Sequence, residues 1–405
     1  MPGWTRRGDP RSARRCSAGR GACRVASGVD RGSEAAREVI HDAELFTVGT
    51  DEVVVTFRTD RAREVETRVG DRAVVTSGRY HSARVLGLEP DLVYPLVVEG
   101  AEVSPLLPAE VRTLATPAGR VLATVATVND VHFGETQCGL LGMLEEIGPV
   151  FSSEPGAEPY PEVMNRGAID AIAELAPDAV IVKGDLTDRG TEAEYEAFLR
   201  AYSRLGARMH HIRGNHDAMV TESIAAYGPY SVELDGVTLA LVDTVRPGTD
   251  RGRVSRTQLE WLDALAADTS QPVLVFGHHH PWDPASTDRS DSYFGVNPDD
   301  SDALCAVIAR REAIAGYFAG HTHRTRLRRF ASARNVPIVE IACVKDYPGA
   351  WAEYRIYDGG YVQLTRRIGT PAALEWTEKT RGMFAGLYRD YALGDLNSRC
   401  FAQAF

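Results

Sequence analysis

The sequence predicts an α/β layered domain preceded by a small all-β sandwich. Short runs that alternate apolar and polar residues occupy the segment from Glu44 to about Pro117, a pattern typical of strands with one buried face. After Pro117 the apolar runs become continuous, as in strands that are covered on both faces. Helical patterns with one apolar stripe lie between these runs. This alternation of strand and helix indicates an α/β layered architecture.

Composition and charge limit the class of protein. The chain has 405 residues, of which 44% are hydrophobic and 25% charged, as expected for a soluble globular protein. No apolar run approaches the roughly 18 residues that suggest a membrane span. The net charge of −11 argues against general nucleic-acid binding. Six cysteines are too few to form a disulfide framework in a chain of this length.

The first 38 residues differ in charge from the rest of the chain. They hold nine arginines and four acidic residues, a local charge of +5, which leaves −16 on the remainder. Because residues 1–38 are rich in Gly, Ser and Arg and lack apolar periodicity, they are predicted to form a disordered arm, with an organelle transit peptide as the alternative. The uncharged stretch Val25–Val29 is too short for a signal peptide core. The sequence as given therefore predicts a cytoplasmic protein, although a misassigned start would hide a signal.

Residues 39–117 are predicted to form a β module. Its predicted strands are Glu52–Phe57, Glu64–Val69, Arg79–Leu86 and Leu92–Val98. Gly87-Leu-Glu-Pro90, followed by Tyr94, resembles the corner of a fibronectin type III domain, where such a tyrosine bonds back to the backbone. This resemblance implies a fibronectin III-like β-sandwich.

Residues 118–367 are predicted to form the α/β domain. Its strands are predicted at Val121–Val128, Ala179–Val182, Met209–Arg213, Val237–Val242, Val273–Phe276, Ile314–Phe318, Val336–Ile341 and Trp351–Tyr357. Residues 368–405 are predicted to form a C-terminal helical extension packed on this domain. Its apolar face runs from Trp376 to Tyr391, with Pro371 at its start and Gly394 at its end.

Polar clusters follow five of the predicted strands. The clusters are Asn129–His132, Gly184–Asp188, Gly214–Asp217, Gly277–Pro281 and Gly320–His323. Loops that leave the carboxyl ends of strands gather on one edge of a layered α/β domain. The five clusters are therefore expected to converge on one site.

The side chains of these clusters predict a metal centre. Carboxylate, imidazole and amide oxygen together suit divalent transition metals such as Mn, Fe, Co or Zn. No cysteine lies in any cluster, which disfavours structural zinc. More than six ligands are too many for one tetrahedral ion, whereas two ions that share a carboxylate would use them all. Two ions roughly 3.5–4 Å apart can clamp a phosphoryl group and bind a hydroxide at neutral pH.

The order of the motifs resembles the calcineurin-like metallophosphoesterase superfamily. The series is Asp-x-His, Gly-Asp-x-x-Asp, Gly-Asn-His-Asp, His-x-Pro and Gly-His-x-His, and the likeness extends from about Val121 to Arg367. The motifs are most similar to those of bacterial class III cyclic-nucleotide phosphodiesterases. Purple acid phosphatases also carry a fibronectin-like domain in front, but they have tyrosine where Asp188 stands and lack the histidine equivalent to His132.

The resemblance implies a role for each motif residue. Asp130, His132 and His323 would hold the first ion, Asp185 would bridge the two ions, and Asn215, His279 and His321 would hold the second. His216 would stabilise charge and protonate the leaving oxygen, and Asp217 would orient His216. A metal-bridging hydroxide would attack phosphorus in line.

Three positions keep alternatives. His278 replaces His279 as a ligand if the turn is shifted, and His280 is expected to be a neighbouring contact. Arg189 is either a phosphate contact, as in the serine/threonine phosphatase branch that Gly-Asp-x-x-Asp-Arg-Gly resembles, or a surface arginine.

These inferences predict a dinuclear-metal phosphoesterase that hydrolyses a phosphodiester with two divalent ions, Mn, Fe or Zn. Its partner is expected to be a small-molecule phosphate ester, with a 3′,5′-cyclic nucleotide as the first candidate and Trp282–Asp300 as the loop that selects it. The alternatives are a phosphomonoesterase or phospholipid-headgroup phosphodiesterase on the same site, and a non-enzymatic, envelope-associated binding protein that uses the β module. The sequence does not predict an oligomeric state.

Overall fold

The computed structural model describes residues 39–140, 147–290 and 293–405. The disordered arm predicted for residues 1–38 lies outside the described residues. The N-terminal module is all-β, as predicted. Its strands are β1 (Ile40–Val48), β2 (Glu52–Val69), β3 (Arg72–Leu86), β4 (Val93–Val98) and β5 (Glu110–Arg112).

The five strands of the module pair antiparallel around β2. The order is β1-β2-β4-β5, and β3 also pairs with β2. The sequence predicts two strands where β2 is a single one, because a register shift between Arg58 and Arg63 carries the pairing with β3 across the polar stretch. At the predicted corner, the Tyr94 hydroxyl accepts a hydrogen bond of 2.9 Å from the backbone N–H of Glu89. The fibronectin III-like assignment of the module stays a prediction.

Twelve further strands occur among the described residues. They are β6 (Val121–Val128), β7 (Ala179–Lys183), β8 (Met209–Ile212), β9 (Tyr230–Leu234), β10 (Val237–Leu241), β11 (Val273–Phe276), β12 (Ile314–Ala319), β13 (Arg326–Arg329), β14 (Pro337–Glu340), β15 (Ala350–Tyr357), β16 (Gly360–Arg367) and β17 (Cys400–Ala404). They form two six-stranded sheets with the orders β13-β14-β12-β11-β10-β9 and β17-β16-β15-β6-β7-β8. The pairs β6–β7, β7–β8, β10–β11, β11–β12 and β12–β14 are parallel.

The two sheets share an apolar core and carry helices on their outer faces. Val125, Phe276 and Tyr354 belong to the core cluster that draws on both sheets. The helices are α1 (Tyr160–Leu175), α2 (Glu192–Tyr202), α3 (Arg256–Asp268), α4 (Pro298–Arg310), α5 (Pro371–Thr380), α6 (Tyr388–Leu393) and α7 (Leu396–Arg399). Residues of α1, α2, α5 and α6 pack in one outer cluster and those of α3 and α4 in another, which gives a layered α/β sandwich. No helix of the described segments is long and apolar enough to cross a membrane.

Local sequence explains where the helices begin. Thr191 and Glu194 form a capping box at the start of α2, in which each side chain accepts a hydrogen bond from the other residue's backbone N–H. The Ser255 hydroxyl accepts from the Gln258 N–H and caps α3 in the same way.

The C-terminal extension differs from its prediction. The prediction of one continuous helical face from Trp376 to Tyr391 is wrong, because α5 ends at Thr380 and the next α-helix, α6, begins only at Tyr388. Phe384 and Ala385, which lie between, have φ of 50° and 56°, a left-handed conformation that a right-handed helix cannot contain. The chain then ends in β17, which pairs antiparallel with β16 and was not predicted.

Buried ion pairs join the β module to the larger sheets. Glu52 of β2 accepts hydrogen bonds from Arg366 of β16 at 2.6 and 2.8 Å and from Arg355 of β15 at 2.7 Å. Arg399 donates to the backbone carbonyls of Leu45 and Phe46. Residues 38–405 accordingly form one compact unit. The domain boundaries at residues 117 and 367 stay predictions.

Candidate metal centre

Loops from both sheets meet at one edge of the structure. The loops after β6, β7 and β8 come from one sheet, and those after β11 and β12 come from the other. The ring centroid of His132 lies 4.5 Å from that of His216 and 5.4 Å from that of His323. The centroids of His278 and His321 are 5.2 Å apart. Residues of the predicted clusters therefore come together across the two sheets.

Four of the predicted ligands form a first group of donors. One donor atom from each of Asp130, His132, Asp185 and His323 lies within 4.8 Å of the other three. His132 Nε2 is 3.5 Å from Asp185 Oδ2, and His323 Nε2 is 3.7 Å from Asp130 Oδ1. The backbone N–H of His321 donates to Asp130 Oδ1 at 3.0 Å, which fixes that carboxylate.

A second group contains His278, His279 and His321, whose donor atoms also lie within 4.8 Å of one another. Asn215 joins this group through its Oδ1, which is 3.1 Å from His278 Nε2. The same nitrogen is 3.3 Å from Asp185 Oδ1. Asp185 thus directs one carboxylate oxygen toward each group.

The donor set fits divalent cations. Both ring nitrogens of His132 and the Nε2 atom of His321 are buried without a hydrogen-bond partner. Buried polar atoms in proteins almost always have a partner, and an imidazole nitrogen can take a metal ion in that place. Imidazole, carboxylate and amide oxygen are the donors that Mn, Fe and Zn accept.

The backbone of this centre is unusual. Asp130, His132, Asp185, His321 and His323 all have positive φ, between 45° and 68°. Non-glycine residues rarely adopt this conformation, and residues held in it cluster at functional sites. Each of these turns begins at or just after a strand end, so the strain turns the side chains toward the shared edge.

His216 lies beside the first group of donors. Its backbone N–H donates to Asp185 Oδ1 at 2.9 Å, and its Nδ1 is 2.6 Å from the carbonyl oxygen of Asp188. Because a carbonyl oxygen only accepts, Nδ1 carries a proton. The Asp188 carbonyl therefore orients this imidazole.

This geometry corrects the contact predicted for Asp217. Its carboxylate accepts hydrogen bonds from the backbone N–H groups of Leu186, Thr187 and Gly214 and from the Thr187 hydroxyl, at 2.7 to 3.0 Å. Since these four donors occupy both carboxylate oxygens, Asp217 ties the second and third loops together and does not bind the His216 ring.

Electrostatics separate the protonation of Asp185 and His216. Burial alone raises the pKa of Asp185, but the adjacent histidines outweigh it and hold the pKa well below its usual value. Burial lowers the pKa of His216, yet the charge of Asp185 and the Asp188 carbonyl produce a net rise. The arrangement favours an ionised carboxylate next to a protonated imidazole.

The remaining predicted positions lie at the margin. The Arg189 side chain is 77% exposed, lines the cavity beside the centre and has its Nε 3.5 Å from Asp188 Oδ2. His280 points away from the two donor groups, with its Nδ1 3.7 Å from the carboxylate of Glu340. Within the described part of Trp282–Asp300, Phe294 lines the cavity.

Sequence reasoning missed a buried ionic network at the edge of the centre. Lys345 Nζ donates to Glu135 Oε1 at 2.6 Å and lies 3.5 Å from Asp346 Oδ2. Asp346 also lies 4.0 Å from His323 Nδ1. Lys345 and Asp346 follow β14 only after the apolar residues 341–344, so no polar cluster at the strand end marks them in the sequence.

A cavity of about 830 Å³ opens over the donor groups. His132, Asp185, Asn215, His216 and His323 are among its lining residues. Its other side is formed by Leu140, Phe294 and the C-terminal residues Met383, Phe384, Leu387, Tyr388 and Tyr391. The volume lies in the range of about 300–1,000 Å³ that is usual for small-molecule sites.

Comparison with known proteins points to one family. Residues 123–325 match the family model described as calcineurin-like phosphoesterase. The chain is 29% identical over 159 residues to a probable cyclic nucleotide phosphodiesterase of Synechococcus, which covers 38% of this chain and 60% of that relative. It is 24% identical over 227 residues to a glycerophosphodiester phosphodiesterase of Enterobacter lignolyticus, covering 52% of this chain and 74% of the relative.

Among solved structures, a dimetal phosphatase from Danio rerio is similar, with a TM-score of 0.46 and 15% identity. The match covers 62% of this chain and 97% of that one.

Proposed function

The chain belongs to the calcineurin-like phosphoesterase family, and from that premise we propose that it hydrolyses phosphodiesters at a dinuclear metal centre. Family membership makes it a metal-dependent phosphoric ester hydrolase, which leaves no support for the non-enzymatic alternative. The observation that carries the proposal is the position of Asp185, whose two oxygens lie 3.5 Å from His132 Nε2 and 3.3 Å from His278 Nε2. A carboxylate placed in this way is suited to bridge two cations.

The proposed ligands divide between the two donor groups. Asp130, His132 and His323 would hold one ion, Asn215, His321 and either His278 or His279 would hold the other, and Asp185 would be shared. When bound, two divalent ions such as Mn, Fe or Zn would polarise the phosphoryl oxygens and lower the pKa of the attacking water.

His216 is the proposed general acid. The Nδ1–H of His216 donates its hydrogen bond to the Asp188 carbonyl oxygen. Nε2 is therefore the nitrogen that is available to give a proton to the leaving oxygen. Arg189, at the rim of the same cavity, is the proposed additional phosphate contact.

A diester substrate is supported by the relatives, which are named as phosphodiesterases of cyclic nucleotides and of glycerophosphodiesters. The first candidate substrate is a 3′,5′-cyclic nucleotide. The alternatives on the same site are a phosphomonoester and a phospholipid-headgroup diester.

Kinetics with three substrates test the proposal. The purified protein with Mn²⁺ is assayed on bis-p-nitrophenyl phosphate, p-nitrophenyl phosphate and cyclic AMP. We expect hydrolysis of cyclic AMP, whose alkoxide leaving group needs a proton, to fall by about 10²-fold or more in His216→Ala, which removes the general acid. His41→Ala, a histidine on β1 that pairs with Asp60, is the matched control and keeps its activity.

Full activity in His216→Ala would contradict the assigned role of this residue. The absence of diester hydrolysis with every metal tried would contradict the proposed reaction. A strong preference for p-nitrophenyl phosphate would favour the phosphomonoesterase alternative.

A further inference from the structure

The cavity over the metal centre has an apolar side made by the C-terminal extension. We call Met383, Phe384, Leu387, Tyr388 and Tyr391 the C-terminal wall. Leu387 is 69% exposed and Tyr391 is 42% exposed. Apolar side chains grouped in this way at a cavity mark binding surfaces more often than isolated exposed ones do.

The wall is fixed to the loops that carry the metal-ligand candidates. The Tyr391 hydroxyl donates to the carbonyl oxygen of Thr322 at 2.8 Å, and Thr322 lies between His321 and His323. The Tyr388 hydroxyl donates to Asp346 Oδ1 at 2.6 Å. The wall therefore keeps a set position relative to the site where phosphate would bind.

These hydrogen bonds also determine what the wall presents. Both tyrosine hydroxyls donate their protons inside the protein, so the exposed part of Tyr391 is mainly ring surface, and Tyr388, which is 4% exposed, packs behind it. Their rings stack at an interplanar angle of 28°, and the Phe384 ring lies 5.7 Å from that of Tyr388. The Arg324 guanidinium also lies 5.2 Å from the centroid of the Tyr391 ring. The wall thus presents ring edges, the half-buried Phe384 ring and an aliphatic side chain, Leu387.

Phe294 adds another ring to the same cavity. It is 45% exposed, and its ring centroid lies 4.2 Å from that of His321 at an interplanar angle of 34°. Leu140, also 45% exposed, is a further apolar lining residue. A phosphodiester whose phosphate bound at the metal centre would place its ester substituent between the C-terminal wall, Phe294 and Leu140.

The backbone of the wall is strained where it meets the cavity. Phe384 and Ala385 are consecutive non-glycine residues with positive φ. A conformation of this kind costs energy and persists where the surrounding structure holds it in place, often at ligand sites. Here it interrupts the helix that the sequence pattern favours and brings Phe384 to the cavity.

We propose that the C-terminal wall is a subsite for a planar aromatic substituent of the phosphodiester. Aromatic rings stack favourably on such substituents, whereas a small polar alcohol such as glycerol would leave the wall in contact with water. The inference rests on the proposed diesterase function and narrows its substrate class to diesters that carry a ring system.

Three chromogenic diesters test the subsite. Methyl, phenyl and hexyl p-nitrophenyl phosphate share one leaving group and differ in the other substituent. In wild-type protein with Mn²⁺ we expect kcat/KM to be highest for the phenyl ester, by about three- to tenfold over the methyl ester, as one aromatic contact supplies. Leu387→Ser, at a largely exposed position, should lower this phenyl-to-methyl ratio by about threefold or more. The esters differ in intrinsic reactivity, but this difference is the same for every protein variant. It therefore cancels when the phenyl-to-methyl ratio of kcat/KM is compared between variants.

Leu86→Ser is the matched control, because Leu86 is 53% exposed on β3 and does not line the cavity. The phenyl-to-methyl ratio of kcat/KM in Leu86→Ser should equal that of the wild type. An unchanged ratio in Leu387→Ser, or equal rates for the methyl and phenyl esters, would overturn the subsite and leave the diesterase function standing. A preference for the hexyl ester would overturn the aromatic class in favour of an apolar chain. Failure to hydrolyse any of the three esters would instead contradict the proposed function.

Discussion

At the scale of single residues, hydrogen bonds distinguish the two histidines that compete for one ligand position. His278 Nδ1 is 2.7 Å from the carbonyl oxygen of Lys183, which requires a proton on Nδ1, so Nε2, which faces Asp185 and Asn215, is the nitrogen that would bind a metal ion. The Thr244 hydroxyl oxygen accepts from the backbone N–H groups of both His278 and His279, so its own proton is free to go to His279 Nδ1, 2.9 Å away. His279 would then carry its proton on Nε2, the tautomer that does not bind a metal through that atom.

The two histidines should therefore differ in their effect on metal content. His278→Ala should lose about half of the bound Mn²⁺, whereas His279→Ala should retain most of it, because His278 directs its Nε2 at the shared carboxylate of Asp185 and at Asn215. Elemental analysis of dialysed protein measures the ratio. The opposite result, with loss in His279→Ala alone, would restore the ligand that the motif spacing predicts.

Residue types were predictable from the sequence, but their partners were not. The five polar clusters follow strand ends, so their convergence is predicted from topology. The hydrogen bonds of Asp217 could not be predicted in this way. Its carboxylate accepts from backbone N–H groups of another loop, and such donors leave no pattern in the sequence. Lys345 carries no such signal either, because the apolar residues 342–344 separate it from the end of the predicted strand.

At the scale of elements, the buried parallel strands were predictable and the C-terminal extension only in part. A continuous apolar run such as Ala179–Val182 indicates a strand covered on both faces, and every residue of β7 is buried. The apolar spacing from Trp376 to Tyr391 favours one helix, yet tertiary contacts interrupt it. A side chain at Gly148 would come within 2.5 Å of the Ala385 nitrogen, so a distant loop packs directly on the interrupted turn. Contacts of this kind override local periodicity.

At the scale of the whole molecule, Glu52 joins the β module to the two-sheet body. It is fully buried and accepts hydrogen bonds from Arg84, Arg355 and Arg366. Burial alone raises its pKa, but the hydrogen bonds and charges of Arg366 and Arg84 lower it to about 2. In the unfolded chain a glutamate has a pKa of about 4.3. The stabilisation from Glu52 is therefore present above about pH 4.3 and lost as the pH falls toward 2.

Glu52→Gln should lower the free energy of unfolding at pH 7 by about 2 kcal/mol, because it removes a buried carboxylate from Arg366, which then keeps only Glu353 as its acidic partner. When the pH is lowered from 4.5 to about 2, the free energy of unfolding of this variant should fall by less than that of the wild type, because the variant has no Glu52 carboxylate to protonate. Urea unfolding at several pH values measures both effects. Glu64→Gln, at an exposed position on β2, is the control and should change stability by no more than about 0.5 kcal/mol. Equal unfolding free energies for Glu52→Gln and wild type would contradict this role.

Electron paramagnetic resonance of Mn²⁺ shows whether two metal ions share the carboxylate of Asp185. Metal-free protein is titrated with Mn²⁺ while diester hydrolysis is followed in parallel samples. We expect an exchange-coupled Mn²⁺ pair that appears together with activity and is lost in Asp185→Asn, because coupling requires a shared ligand between close ions. A spectrum of isolated Mn²⁺ ions alone at full activity would contradict the dinuclear centre.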